Sequence, residues 1–223
     1  DVSLRLAKRI WEVVEKEEES GVLFEKVSPI TKELLRFWFC EPFISQRQFN
    51  FHKGQKQSIL NIIYLHEVLK INNVLEIYEQ VAPDLLLESD LFGAKETRNS
   101  LKESRYDLPK YLVKMATGTG KTWVMHALLI WQILNAKNEE EKSGRFTKNF
   151  LIVAPGLIVY DRLLDAYKGR LQENGDGRDF STNDFVRNKD LFVPENYREE
   201  VFSFIQNNTV SKEEGIGSKI TGN

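Results

Sequence analysis

The chain has 223 residues, with 31 Lys and Arg against 33 Asp and Glu, 41% hydrophobic content and one cysteine, Cys40. That composition excludes a disordered or low-complexity chain, a disulfide-stapled scaffold and, with no run near about 18 apolar residues, a membrane-spanning helix. No basic stretch precedes an apolar core at the start, so a cytoplasmic location is expected; the net charge of −2 leaves nucleic-acid binding open, because a basic stripe can sit on a neutral surface.

Residues 1–20 read as a helix, with Leu6, Ile10, Val13 and Val14 at helical spacing and a solvated acidic end from Glu15 to Glu19. Ser28-Pro29 reads as an N-cap followed by proline at the first helical position, opening a helix from Ile30 to Phe39. A third helix is expected from Lys53 to Lys70, with Ile59, Ile62, Ile63 and Leu65 on its apolar face, and a fourth from Val74 to Val81. Residues 71–109 include a connector or insertion, irregular from 84 onward. Lys110–Met115 then reads as a strand, Thr122–Asn135 as an amphipathic helix, 136–148 as a polar loop, Phe150–Val153 as a second strand and 156–168 as a helix. Residues 170–184 are loop-like, and Val201–Ile205 fits a strand or a helix end. Strands alternating with helices predict a parallel sheet covered on both faces.

The segment that carries chemistry is Ala116-Thr117-Gly118-Thr119-Gly120-Lys121-Thr122, between the first expected strand and a helix. Gly118 and Gly120 lack Cβ atoms, so backbone N–H groups can turn toward a phosphate, and the new helix presents its free N–H groups to the same anion. Lys121 is placed to reach the β- and γ-phosphates of ATP, and the Thr122 hydroxyl to ligate Mg²⁺. The general phosphate-loop pattern has Gly five residues before Gly120; here that residue is Met115.

With Met115 included, the segment MATGTGKT resembles motif I of superfamily-two helicases and DNA translocases, above all the restriction (Res) subunits of type III restriction enzymes. Phe51–Ile59 resembles the upstream glutamine motif, and Phe150–Leu157, continuing to Leu163, resembles motif Ia. The resemblance covers roughly residues 35–170. It implies a RecA-like P-loop NTPase: a three-layer parallel sheet, with residues 1–50 as an N-terminal helical segment and 51–223 as the first ATP-binding motor domain. It also implies ATP and Mg²⁺ as cofactors, DNA as substrate and a modification (methyltransferase) subunit as partner. A glutamine amide both donates and accepts, so Gln55, or else Gln57, is expected to read the adenine edge. Phe49 and Phe51 are candidates to stack on the base or simply to pack. Pro155, Gly156 and Arg162 are expected to meet the nucleic-acid backbone.

The family's motif II, an apolar strand ending in Asp-Glu, has no match after residue 150. Leu157–Asp161 imitates it, but it falls where a helix should start and Arg162 follows the aspartate. The expectation is the N-terminal part of a longer motor, binding ATP without hydrolysing it, with the nuclease domain elsewhere. Other superfamily-two helicases acting on RNA or in repair, a P-loop kinase or GTPase, and a non-catalytic nucleotide-binding module are the alternatives. His52, His66 and His126 have no metal-ligand spacing, so no zinc site is expected.

Overall fold

The computed structural model describes residues 2–88, 108–138, 144–173, 175 and 177–215. They form two compact units: one of residues 1–32 and 52–124, the other of residues 33–51 and 125–223.

The first unit is helical. Helix α1 (Val2–Glu19) turns Leu6, Ile10 and Val14 inward at four-residue spacing. They meet Leu23 of α2 (Leu23–Lys26), Ile59, Leu60 and Ile63 of α4 (Lys53–Ile63), and Leu75 and Tyr78 of α5 (Val74–Val81) in one apolar core. The acidic end of α1 is more than a solvated terminus. Glu15 pairs with Lys53 at 3.2 Å, Glu18 with Lys56 at 3.0 Å, and Glu17 with Lys26 at 2.6 Å and the Tyr64 hydroxyl at 3.0 Å. The acidic run thereby lines the seam where α1 meets α4. Burial and the Glu17 carboxylate push the Tyr64 phenol up to about 12.

Helix α3 (Pro29–Phe39) starts as expected, with Ser28 Oγ accepting from Thr31 N–H at 3.0 Å. The helix expected over 53–70 changes register instead: Tyr64–Val68 is a π-turn, closed by Leu69 N–H donating to Tyr64 O. The wider turn brings Glu67 inward, where it accepts from Ser28 N–H and the Thr31 hydroxyl, a long-range tie that periodicity cannot show. Past Ala82 the chain is helical again, as α6 (Pro83–Glu88), where an irregular connector was expected. The rest of that connector, 89–107, lies outside the described residues.

The second unit packs the part of α7 (Lys121–Asn138) from Met125 onward, α8 (Leu157–Lys168) and α11 (Arg198–Asn208) with the short helices α9 (Asp184–Arg187) and α10 (Lys189–Phe192). Helix α7 is not the amphipathic helix expected. Val124, His126, Ala127, Leu129, Ile130, Trp131, Ile133, Leu134 and Asn135 are all buried and together cover most of its circumference, the pattern of a central helix. Trp38 Nε1 donates to Phe192 O at 2.9 Å, and Arg47 donates to the carbonyls of Phe37, Trp38, Phe43 and Leu191, satisfying groups at two helix ends. Val201–Ile205 lies inside α11.

The expected three-layer parallel sheet is absent from the described residues. Their only sheet is a two-stranded antiparallel hairpin, β1 (Arg170–Leu171) with β2 (Arg178–Asp179). Lys110–Met115 and Phe150–Val153 have no regular structure; Leu112 is 93% exposed, and Leu151 and Val153 are 79% and 78% exposed. The reason is physical. A short apolar run is compatible with a strand, but it becomes one only when a neighbour takes its backbone hydrogen bonds. Neither run pairs with another strand among the described residues, and neither is buried.

Candidate phosphate-binding loop

The loop before α7 lies in the first unit. Gly118 and Gly120 sit at φ +80° and +71°, the left-handed region in which a side chain is strained. Space around Gly118 is open, whereas a Cβ on Gly120 would stand 2.3 Å from Gln55 Nε2. The Ala116 carbonyl accepts from the Thr119 hydroxyl at 2.7 Å and from Lys121 Nζ at 2.9 Å. These contacts curl the loop back on itself, and Lys121 remains exposed at its mouth. Helix α7 begins at Lys121, and Trp123 N–H is the first of its amides to find a helical acceptor, Gly120 O. Among the described residues the N–H groups of Gly120, Lys121 and Thr122 meet no acceptor. Three adjacent donors without acceptors, two adaptable glycines and a lysine suit an anion of phosphate type. Thr122 is half-buried at the first turn, where its hydroxyl is available to a phosphate-bound cation. No cluster of three His, Cys, Asp or Glu able to hold a metal ion on its own occurs among the described residues.

Gln55 is brought to this loop. It is only 3% exposed, its Oε1 accepts from His52 N–H at 3.0 Å, and its Nε2 donates to Gly120 O at 3.2 Å. Gln57 is also buried, but its amide turns along its own helix to Asn61. Phe51 packs against Trp38, Phe39 and Phe192 in the second unit's aromatic core, while Phe49 is exposed.

Pro155, Gly156 and Arg162 belong to the second unit. Gly156 is the N-cap of α8 in an extended conformation with no side-chain cap, Pro155 precedes it, and Arg162 is exposed on the helix. Leu157–Asp161, the imitation of an acidic strand, forms the first turns of α8.

His52 was missed as part of the site. Its ring caps α4 by accepting from Gly54 and Gln55 N–H, and its Nε2 lies 2.9 Å from Thr119 O. The local signal was His52 followed three residues later by Gln55, the spacing of a capping box, but with a histidine where Ser or Thr is usual.

His126, on α7, is the opposite kind of histidine. It is 0% exposed, and neither ring nitrogen has a hydrogen-bond partner among the described residues. Tyr167, Phe185 and Phe192 surround it at ring separations of 5.3, 4.5 and 5.6 Å. Burial alone pulls its pKa down to about 3, and burial likewise raises that of Tyr167. No helix among the described residues is long and apolar enough to cross a membrane.

The family model described as type III restriction enzyme, res subunit, matches residues 48–215. No curated protein and no solved structure matches the chain.

Proposed function

The chain belongs to the type III restriction enzyme res subunit family, which is helicase-like and ATP-binding, and we propose that its 116–122 loop holds the phosphates of ATP for a DNA translocase. The observation that carries this reading is the row of acceptor-free N–H groups at Gly120, Lys121 and Thr122, beside two glycines at positive φ. Such donors are fixed before the anion arrives, so little ordering cost remains at binding. The backbone of Ala116 to Gly120 wraps the phosphates. Lys121 exchanges the Ala116 carbonyl for a phosphate oxygen, a swap that keeps its charge hydrogen-bonded throughout. Thr122 would hold Mg²⁺ through its hydroxyl, and the ion would supply positive charge against the phosphates.

Gln55 keeps one N–H and one Oε1 lone pair beyond the two bonds it makes here, the complement an adenine edge requires. Because the side chain is buried, base recognition calls for α4 and the loop to part locally, which makes adenine contact conditional on loop movement.

DNA is the proposed track. Pro155 and Gly156 open α8 with first-turn N–H groups that can meet a backbone phosphate, and Arg162 adds a positive charge one turn on. A modification (methyltransferase) subunit is the proposed partner, on family grounds. Binding without turnover is proposed for this chain, since no apolar strand ending in Asp-Glu follows residue 150 in its sequence to orient the attacking water.

Titration with MgATP should show saturable binding that Lys121→Ala weakens at least tenfold, with the thermal midpoint unchanged. Equal affinity in the variant would refute the loop assignment. Steady ATP turnover abolished by the same substitution would refute binding without hydrolysis.

A further inference from the structure

We infer that His52 is a positioning residue that, with Gln55, sets the direction of the loop's phosphate-binding N–H groups before any ligand arrives. This rests on the reading of the 116–122 loop as the phosphate site.

The argument starts with the imidazole. His52 Nδ1 accepts from two backbone donors, Gly54 N–H at 3.1 Å and Gln55 N–H at 3.3 Å. A backbone N–H can only donate, so Nδ1 carries a lone pair and the proton of the neutral ring sits on Nε2. Nε2–H therefore donates to Thr119 O, 2.9 Å away. One turn along, Gln55 Nε2 donates to the next carbonyl, Gly120 O, at 3.2 Å. Two side chains from one helix start thus grip two successive carbonyls of a loop 65 or more residues away.

The consequence follows from peptide geometry. Among the described residues the only cis peptide bond is Glu41–Pro42, so the units joining Thr119 to Gly120 and Gly120 to Lys121 are trans. In a planar trans peptide the C=O and the N–H point in opposite directions. Turning Thr119 O and Gly120 O toward α4 therefore turns the N–H groups of Gly120 and Lys121 away from it. Those are two of the three donors with no acceptor among the described residues. His52 also supports Gln55 directly, since its own N–H donates to Gln55 Oε1 and fixes which end of the carboxamide faces Gly120. Gly120 has to be glycine for the same contact, because a Cβ there would collide with the amide nitrogen that holds it.

His52 has two separable jobs, and His52→Asn separates them. Asparagine is among the best N-caps, and His52 has the extended backbone, φ −76° and ψ 165°, that a cap adopts. Its shorter side chain accepts from the α4 amides but does not extend to Thr119 O. The first measurement is MgATP affinity in wild type, His52→Asn and Lys121→Ala, with the thermal midpoint of each. Loss of one hydrogen bond that preorganises two donors should weaken binding roughly three- to tenfold in His52→Asn, with the midpoint lowered only slightly from the wild-type value. The second is the ¹⁵N spectrum of the His52 ring, where a protonated Nε2 and an unprotonated Nδ1 are expected in the free protein.

Wild-type affinity in His52→Asn, or a ring protonated on Nδ1, would overturn the inference while leaving the phosphate loop intact. Absence of nucleotide binding in wild type, or no effect of Lys121→Ala, would overturn the reading of the loop itself and this inference with it.

Discussion

His52 and His126 place the same side chain in opposite settings, one in each unit. At His52 every ring nitrogen is used: Nδ1 caps α4 and Nε2 holds a carbonyl of the loop. At His126 neither nitrogen is used, and the ring lies fully buried among Tyr167, Phe185 and Phe192. Hydrogen bonding, rather than burial, separates a histidine that positions other groups from one that fills volume. A buried polar group without a partner costs about 1–3 kcal/mol, so His126 is tolerated for its shape, and burial opposes its protonation.

Acid should produce the largest effect, and it falls on His126. The unfolded ring titrates near 6.5, whereas the folded ring stays neutral down to about 3. The unfolded chain therefore binds the proton first, and stability present above pH 6.5 is lost as pH falls toward 3. From pH 7 to pH 4 this amounts to on the order of 3 kcal/mol. Urea unfolding across that range, compared between wild type and His126→Leu, isolates the contribution. Parallel pH curves would mean that the ring is hydrated or bonded in solution and would remove the contrast with His52.

The two loop glycines give the next largest difference. Gly120→Ala meets both a positive φ and the Gln55 amide, while Gly118→Ala meets positive φ with open space around it. Denaturant midpoints should show Gly120→Ala costing about 2–3 kcal/mol and Gly118→Ala about 1 kcal/mol. Equal costs would mean that Gln55 yields freely, which would weaken the case for a preset loop. The smallest effect tests the cap alone. His52→Ala removes both jobs of the ring and should cost about 1 kcal/mol in unfolding free energy, whereas His52→Asn should cost only a few tenths. A matching loss in both would place the stability in the Thr119 contact instead of the helix cap.

Much of this molecule is legible along the chain, and the exceptions share a cause. Helices α1, α3, α5 and α8 follow from apolar spacing, and the Ser28 cap from the Ser-Pro pair. The loop from Ala116 to Thr122 is a local motif, so its family was readable from a few consecutive residues. The parallel sheet was misread because Lys110–Met115 and Phe150–Val153 have the apolar content of strands, and content does not disclose whether a partner exists. Helix α7 was misread as amphipathic because its few polar residues, His126 and Asn135 among them, are buried along with the apolar ones.

Sequence by itself determined helices α1, α3, α5 and α8, the Ser28 cap and the res subunit family, all of which depend on neighbours within a turn or two of chain. Tertiary structure decided the rest: that Glu15, Glu17 and Glu18 form pairs instead of a solvated end, that a π-turn delivers Glu67 to Ser28 and Thr31, and that His52 and Gln55 reach Thr119 and Gly120. Each of these is a hydrogen bond or ion pair between groups far apart in sequence. Residue type states what such a group can donate or accept, but only the folded backbone determines which partner comes within reach.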